Sequence, residues 1–173
     1  LSLRGINLKS AAEICKYAFY FCGNLKYVEF GENLETIGER AFGRCRSLQH
    51  LNLPSIITIG RGAFYKCNAL TDIELSERLE TIEAHTFWEC KRLQRIAIPL
   101  KRGLIPFDDM LNECNQFDKC DQLTTVDLVG GIHTTVASLH MESWRNEMQE
   151  EIHRINQVLP DAQTRDKTDE IKQ

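Results

Sequence analysis

The chain has 173 residues, 42% of them hydrophobic and 27% charged, with a formal net charge of -4, about one globular domain's worth of sequence. Basic and acidic side chains number 16 and 17 up to residue 133 and 5 and 8 beyond it, so neither part offers the basic surface that a nucleic-acid backbone requires. No apolar run approaches the roughly 20 residues of a membrane-spanning helix.

Taken from the N-terminus, the chain repeats itself. A core of the form Leu-x-x-(Ile/Val/Leu)-x-(Leu/Phe/Ile) begins at Leu3, Leu25, Leu48, Leu70, Leu93 and Leu123, in steps of 22, 23, 22, 23 and 30 residues. Such a period marks a stack of identical supersecondary units. Within each unit the pairs Val28/Phe30, Leu51/Leu53, Ile73/Leu75 and Ile96/Ile98 alternate with other residues. Period two predicts a strand with one buried face. A second apolar pair follows (Leu34/Ile37, Ile56/Ile59, Leu79/Ile82), and then Ala-Phe and Cys. A unit this short cannot bury so many apolar groups alone, whereas stacked units cover one another. Their strands would lie side by side about 4.8 Å apart.

Each unit closes on a near-copy of one pentapeptide: AFYFC (18–22), AFGRC (41–45), AFYKC (63–67), TFWEC (86–90) and QFDKC (116–120). The Phe is expected to fill the interior at the turn. The Cys invites a reading as nucleophile, metal ligand or half-cystine. Stacked Cys would fall within disulfide reach, roughly 4.4–6.8 Å between Cα atoms, but a ladder of Cys22, Cys45, Cys67, Cys90 and Cys120 leaves one unpaired. There is no Cys-x-x-Cys pair and no His at ligand spacing, which argues against zinc. The expectation is therefore a ladder of buried, unbridged thiols that pack as small hydrophobes. Cys15 and Cys114 fall outside it and are expected to be more exposed.

Ile37 to Cys45 (IGERAFGRC) and Ile59 to Cys67 (IGRGAFYKC), each after a Leu-x-x-Ile-x-Leu-type strand, resemble the BspA-like leucine-rich repeat family. The resemblance covers about residues 3–128. The commoner leucine-rich repeat stacks an Asn after its strand. That place here holds Ala11, Asn33, Ile56, Arg78, Lys101 and Gly131, so no Asn ladder is expected. The stretch from Gln122 to Pro160 also resembles the C-terminal part of diatom members, in which helices follow the repeats. The resemblance implies a protein-binding scaffold without catalytic residues, and some bacterial members are surface adhesins. The fold expected is an α/β solenoid of about six 22–23-residue units over residues 1–132, with a C-terminal helical cap.

The 30-residue step carries an insertion at 106–116, where Asp108 and Asp109 are adjacent. They suit a calcium or acid/base site less well than a solvated loop or the first turn of a short helix, where acids suit the helix dipole. Beyond Leu128, Val136, Leu139, Trp144, Met148, Ile152, Ile155 and Leu159 recur at helical spacing until Pro160. This amphipathic segment (133–160) is read as a cap over the last open core, the alternative being a coiled-coil or partner-binding helix. Residues 161–173 read as a polar tail. The first unit opens at once with strand residues, which predicts further repeats or a cap upstream, because an open apolar edge is a liability.

No metal, cofactor or catalytic site is expected. His50, His85, His133, His140 and His153 make no spacing of a known catalytic constellation, and there is no Gly-rich phosphate loop. What remains is the outward strand face, where Tyr27, Glu29, His50, Asn52, Asp72, Glu74 and Arg95 are the candidate partner-binding residues. Ala97, Thr125 and Asp127 belong to the same face. The function expected is a non-enzymatic scaffold for a protein partner of unknown identity, with no nucleic acid and no membrane span. The alternative is a cell-surface adhesion or structural repeat. An odd count of seven Cys, five of them in repeat register, and no Asn-x-Ser/Thr sequon favour a reducing, cytoplasmic setting, while a start at Leu1 leaves an upstream signal peptide open.

Overall fold

The computed structural model describes residues 3–99, 101, 104, 116–129 and 163–165. The insertion 106–116 lies almost wholly outside this set (Gln116 alone is described), as do the helix expected at 133–160 and Cys114.

Two rows of parallel strands run along the stack. The first row is β1 (Gly5–Leu8), β3 (Tyr27–Phe30), β5 (His50–Leu53), β7 (Asp72–Leu75), β9 (Arg95–Pro99) and β10 (Thr125–Val129). The second is β2 (Glu13–Ile14), β4 (Thr36–Ile37), β6 (Thr58–Ile59) and β8 (Thr81–Ile82), hydrogen-bonded in that order. The first row is two ladders, β1 with β3 and β5 through β7 and β9 to β10, each in register, as in His50↔Asp72↔Arg95↔Thr125. At the base of the first row, the amide of one rung donates to the carbonyl of the rung before. These bonds run Lys26 to Arg4 (2.7 Å), Gln49 to Lys26 (3.2 Å), Thr71 to Gln49 (2.9 Å) and Gln94 to Thr71 (2.9 Å). β11 (Gln163–Arg165) adds to β10 in parallel. The polar tail expected there thus contributes a strand, since backbone pairing at an open sheet edge asks nothing of side-chain hydrophobicity.

From each second-row strand to the next first-row strand the distance is constant: Glu13 to Tyr27, Thr36 to His50, Thr58 to Asp72 and Thr81 to Arg95 are all 14 residues apart. The 22/23 alternation therefore sits wholly in the loop after each first-row strand. That loop has four residues at 9–12 and 54–57, and five at 31–35 and 76–80.

The constant segment contains the Ala-Phe-x-x-Cys turn. Two residues in each turn adopt the left-handed conformation: Arg40 and Arg44 in one unit, Gly62 and Lys66 in the next, His85 and Glu89 in the third. Left-handed residues break helices; alternate turn amides bond forward to the next unit, and the amides between them close tight turns onto the carbonyl three residues back. Arg40, Phe42 and Arg44 donate to the carbonyls of Arg61, Ala63 and Tyr65 at 2.9, 2.8 and 2.6 Å. Among the described residues the solenoid is accordingly strands and turns without a helix. The α/β description is corrected to that extent: left-handed residues four apart, with every second amide given to the next unit, leave only tight turns and no run of helical bonds within a unit.

The core lies between the two rows. Phe42, Phe64, Phe87 and Phe117 are fully buried, as are Leu25, Leu48, Leu70 and Leu93. The Phe rings stack in an unbroken column from Phe19 to Phe117, with centroids 5.1–5.6 Å apart. Gly60 lets backbones close up beside this column, because a Cβ there would sit 2.8 Å from the Glu39 nitrogen and 2.9 Å from the Gly38 carbonyl carbon.

Candidate partner-binding face

The alternation in the first-row strands is the one the sequence predicts. In β5 and β7, Leu51, Leu53, Ile73 and Leu75 point inward and are buried, while His50, Asn52 and Glu74 are exposed and Asp72 is half-buried. Tyr27 and Glu29 are exposed on β3, and Arg95 is half-buried on β9. The register sets His50, Asp72 and Arg95 in one row and Asn52 and Glu74 in the other, while Tyr27 and Glu29 pair with Gly5 and Asn7 on β1. Tyr27 leans over Gly5, its register partner on β1, and its ring occupies the space a side chain at Gly5 would need.

Arg95 is the hub of this face, a role its place in the sequence does not reveal. Its Nη1 lies 3.0 Å from Asp72 Oδ1 and 3.4 Å from Glu74 Oε1, and its Nε donates to Asp127 Oδ2 at 2.6 Å. One guanidinium thereby ties three strands together. Partial burial disfavours its charge, but the hydrogen bonds to Asp127 and Asp72 more than offset this and hold its pKa above the ordinary range. Ala97 is in register between Glu74 and Asp127 and is only 3% exposed. It was expected to face outward, and the Arg95 side chain that spans its two neighbours explains its cover.

Beside this hub, the unequal loops make a step. Arg78 of the five-residue loop at 76–80 reaches Glu35 of the five-residue loop at 31–35, 3.0 Å away, across the four-residue loop at 54–57. The short loop is held down by Ser55, whose buried hydroxyl donates to the Leu34 carbonyl at 2.9 Å. The result is an open groove of about 560 Å³ between Asn52 and Pro54 on one side and Glu74, Glu77, Arg78 and Arg95 on the other. The signal for this step was present in the alternating 22/23 period, but only the strand limits show where the extra residue falls.

The turn side offers less to a partner. The rings of Tyr65 and Trp88 stack face to face at 5.1 Å, and Lys66 and Lys119 lie over them. Trp88 Nε1 donates to Asp118 at 2.7 Å. Ring faces and polar tips are thus already engaged within the protein.

The Cys ladder has a chemistry that composition does not show. Cys45, Cys67, Cys90 and Cys120 each donate a thiol hydrogen bond to the Phe carbonyl of the preceding unit: Phe19, Phe42, Phe64 and Phe87, at 3.2–3.3 Å. All four are free thiols and buried. Burial, and then the neighbouring ladder Cys, push the Cys45 thiol up to about 12. Burial raises Cys67 and Cys90 well above the ordinary 9.0 as well. Burial and the raised pKa leave little thiolate, the form that reacts as a nucleophile. Cys22, expected to be buried, is half-buried because no described unit stacks on its outer side, and Cys15 is exposed. Among the described residues no group of three or more His, Cys, Asp or Glu could hold a metal ion, and no helix is long and apolar enough to cross a membrane.

A stack of 22–23-residue units with a parallel strand row, an internal Phe column and a solvent-facing strand surface defines a leucine-rich repeat solenoid. The model of the BspA-type leucine-rich repeat region matches residues 2–106 in six copies, and the chain belongs to that family. The fold is similar to a leucine-rich cell surface protein from Faecalibacterium prausnitzii, at 27% identity and a TM-score of 0.64 over 78% of this chain and 34% of the other. It is similar also to a leucine-rich repeat protein from Bacteroides ovatus, at 22% identity and a TM-score of 0.58 over 74% of this chain and 30% of the other. A third similar structure is the leucine-rich repeat protein of T. pallidum, at 21% identity and a TM-score of 0.55 over 74% and 73%. The match thus spans about a third of the first two proteins' length. None of the curated proteins compared matches the chain.

Proposed function

We propose that this protein is a non-enzymatic scaffold that binds a protein partner through its strand face. One observation carries the reading: exposed residues differ from rung to rung above a core that hardly changes. In one row the face presents Tyr27, His50, Asp72 and Arg95, while Leu25, Leu48, Leu70 and Leu93 stack beneath. A rigid ladder with a variable surface suits recognition. Site-specific photo-crosslinkers at His50 and, on the opposite turn, at Arg61 test it in extracts of the source cells. A partner is expected to crosslink at position 50 and not at 61. Crosslinking at 61 alone, or equally at both, would refute it.

A second reading, a surface adhesion or structural repeat, is supported by the similar fold of a protein described as a cell surface protein. Surface labelling of intact cells separates the two. Exposed Cys15 would be alkylated by an impermeant reagent only in the second case.

A further inference from the structure

We infer that the groove beside Arg95 receives a Lys or Arg side chain from an extended segment of the partner. The inference rests on the strand-face reading above. The groove's own two cations are already committed: Arg78 to Glu35, and Arg95 to Asp127 and Asp72. Glu74 shares Arg95 only at 3.4 Å, with half of its side chain in solvent. Glu77 makes no ion pair or hydrogen bond among the described residues. The charge left open in the groove is therefore negative, and two carboxylates from one strand end and its loop converge on it.

The shape adds to the charge. Pro54, half-buried at the rim, supplies apolar surface along which the methylenes of a long basic side chain can lie, with Leu75 and Ala97 nearly closed off beneath. Asn52 makes no side-chain hydrogen bond among the described residues and stands in register with Glu74 at the groove's edge, where a backbone amide or carbonyl could meet it. A volume of about 560 Å³ is more than one side chain needs and leaves room for flanking backbone; it falls in the range of about 300–1,000 Å³ typical of ligand sites. The exposed pair of Arg78 and Glu35 occupies the Arg78 charge at the groove's wall.

The test uses the 173-residue protein and four blocked nonapeptides of alternating Thr and Val that carry Lys, Arg, norleucine or Glu at the centre. Each is titrated into the millimolar range and followed by amide NMR shifts. The Lys and Arg peptides are expected to move the signals of Asn52, Glu74 and Glu77. The norleucine peptide should bind about tenfold more weakly, the worth of one charge-assisted hydrogen bond. The Glu peptide should not bind. The double variant Glu74→Gln/Glu77→Gln should lose the Lys/norleucine preference while melting as the parent does. Binding that ignores the central residue, or a preference that survives the double variant, overturns the inference. So does a free protein in which the double variant moves signals from residues 133–173, because the groove would then be filled by the chain itself. If the partner crosslinks at position 50 yet the double variant binds it unchanged, the groove inference fails and the strand-face reading stands. If nothing crosslinks at position 50, the reading itself has failed.

Discussion

The turn side and the strand face obey opposite rules. On the turn side identical residues sit above one another: Phe on Phe, and Cys thiol on Phe carbonyl, rung after rung. On the strand face no two residues paired in register carry charges of like sign. Asp72 and Thr125 flank Arg95, Glu74 and Asp127 flank Ala97, and Asn52 precedes Glu74. The difference follows from what repetition does at strand spacing. Rings stack on rings at 5.1–5.6 Å, and each ladder thiol meets the carbonyl of the unit before at 3.2–3.3 Å. Like charges directly opposite one another repel. A solenoid can therefore copy its core more readily than a charged strand face; repulsion rules out like charges in register there but leaves open which other residue stands on each rung, and that choice is what a partner can select.

The largest test of this contrast removes a ring from the column. Phe64 stacks on Phe42 at 5.5 Å and on Phe87 at 5.6 Å, and is fully buried. Phe64→Ala is expected to cost about 3–5 kcal/mol, the usual range for a buried Phe. Because each unit is covered by its neighbours, hydrogen exchange should rise in the units on both sides as well. A loss below about 1 kcal/mol, read from urea midpoints, would mean that the column is not what joins the units.

Backbone contact comes next. At Gly60 an added Cβ meets main-chain atoms of the preceding unit, which cannot swing aside as a side chain can. Gly60→Ala should cost about 1–3 kcal/mol through overpacking. At Gly23, where nothing lies within 4 Å, the same change should cost far less. Equal effects at the two positions would show that the units slide apart easily.

How far the sequence discloses this molecule follows from the same contrast. Periodicity reports what repeats, so the rungs, the buried pairs, the Phe column and the outward set from Tyr27 to Arg95 could be read from spacing alone. It says nothing of what happens once. Arg95 as a three-strand hub depends on Asp127, 32 residues away across the long step, and no local pattern marks it. Nor does periodicity distinguish a thiol that packs from one that donates, since both demand a small buried residue. The left-handed backbone of the turn is equally illegible, because the residues that adopt it are mostly ordinary ones, such as Arg40, Arg44 and Lys66, rather than glycines.

The thiols make a smaller effect with a clear sign. Cys67→Ala removes one weak donor. The Phe42 carbonyl it meets still accepts the Cys45 amide at 3.1 Å, so no group is orphaned and the cost should be about 1 kcal/mol. The ladder thiols titrate higher when folded, at about 12 for Cys45 and Cys120, than their ordinary 9.0. Their contribution is complete below pH 9 and is lost as pH rises through the folded values, because the unfolded chain releases those protons first. Unfolding midpoints should thus fall between about pH 9 and 12, and less steeply in Cys67→Ala. Under native conditions alkylation should reach Cys15 first, Cys22 next and the four buried thiols only on unfolding. Rapid native labelling of Cys67 would contradict the packed ladder.

The smallest effect tests the rule for the face itself. Asn52 is exposed and stands opposite Glu74. Asn52→Asp would place two carboxylates side by side, whereas Asn52→Lys would place opposite charges there. A neutral change at such a surface site is worth within about 0.5 kcal/mol, and cross-strand charge pairs are worth about 0.2–1 kcal/mol of either sign. The aspartate variant should therefore melt below the parent and the lysine variant at or above it. The gap should close as salt rises, since exposed charges are screened. If both variants fall by several kcal/mol, the side chain at 52 points into the core and the strand has been assigned inside out. If the two melt alike at low salt, charge repulsion does not shape this face, and its variety has to be explained by the partner alone.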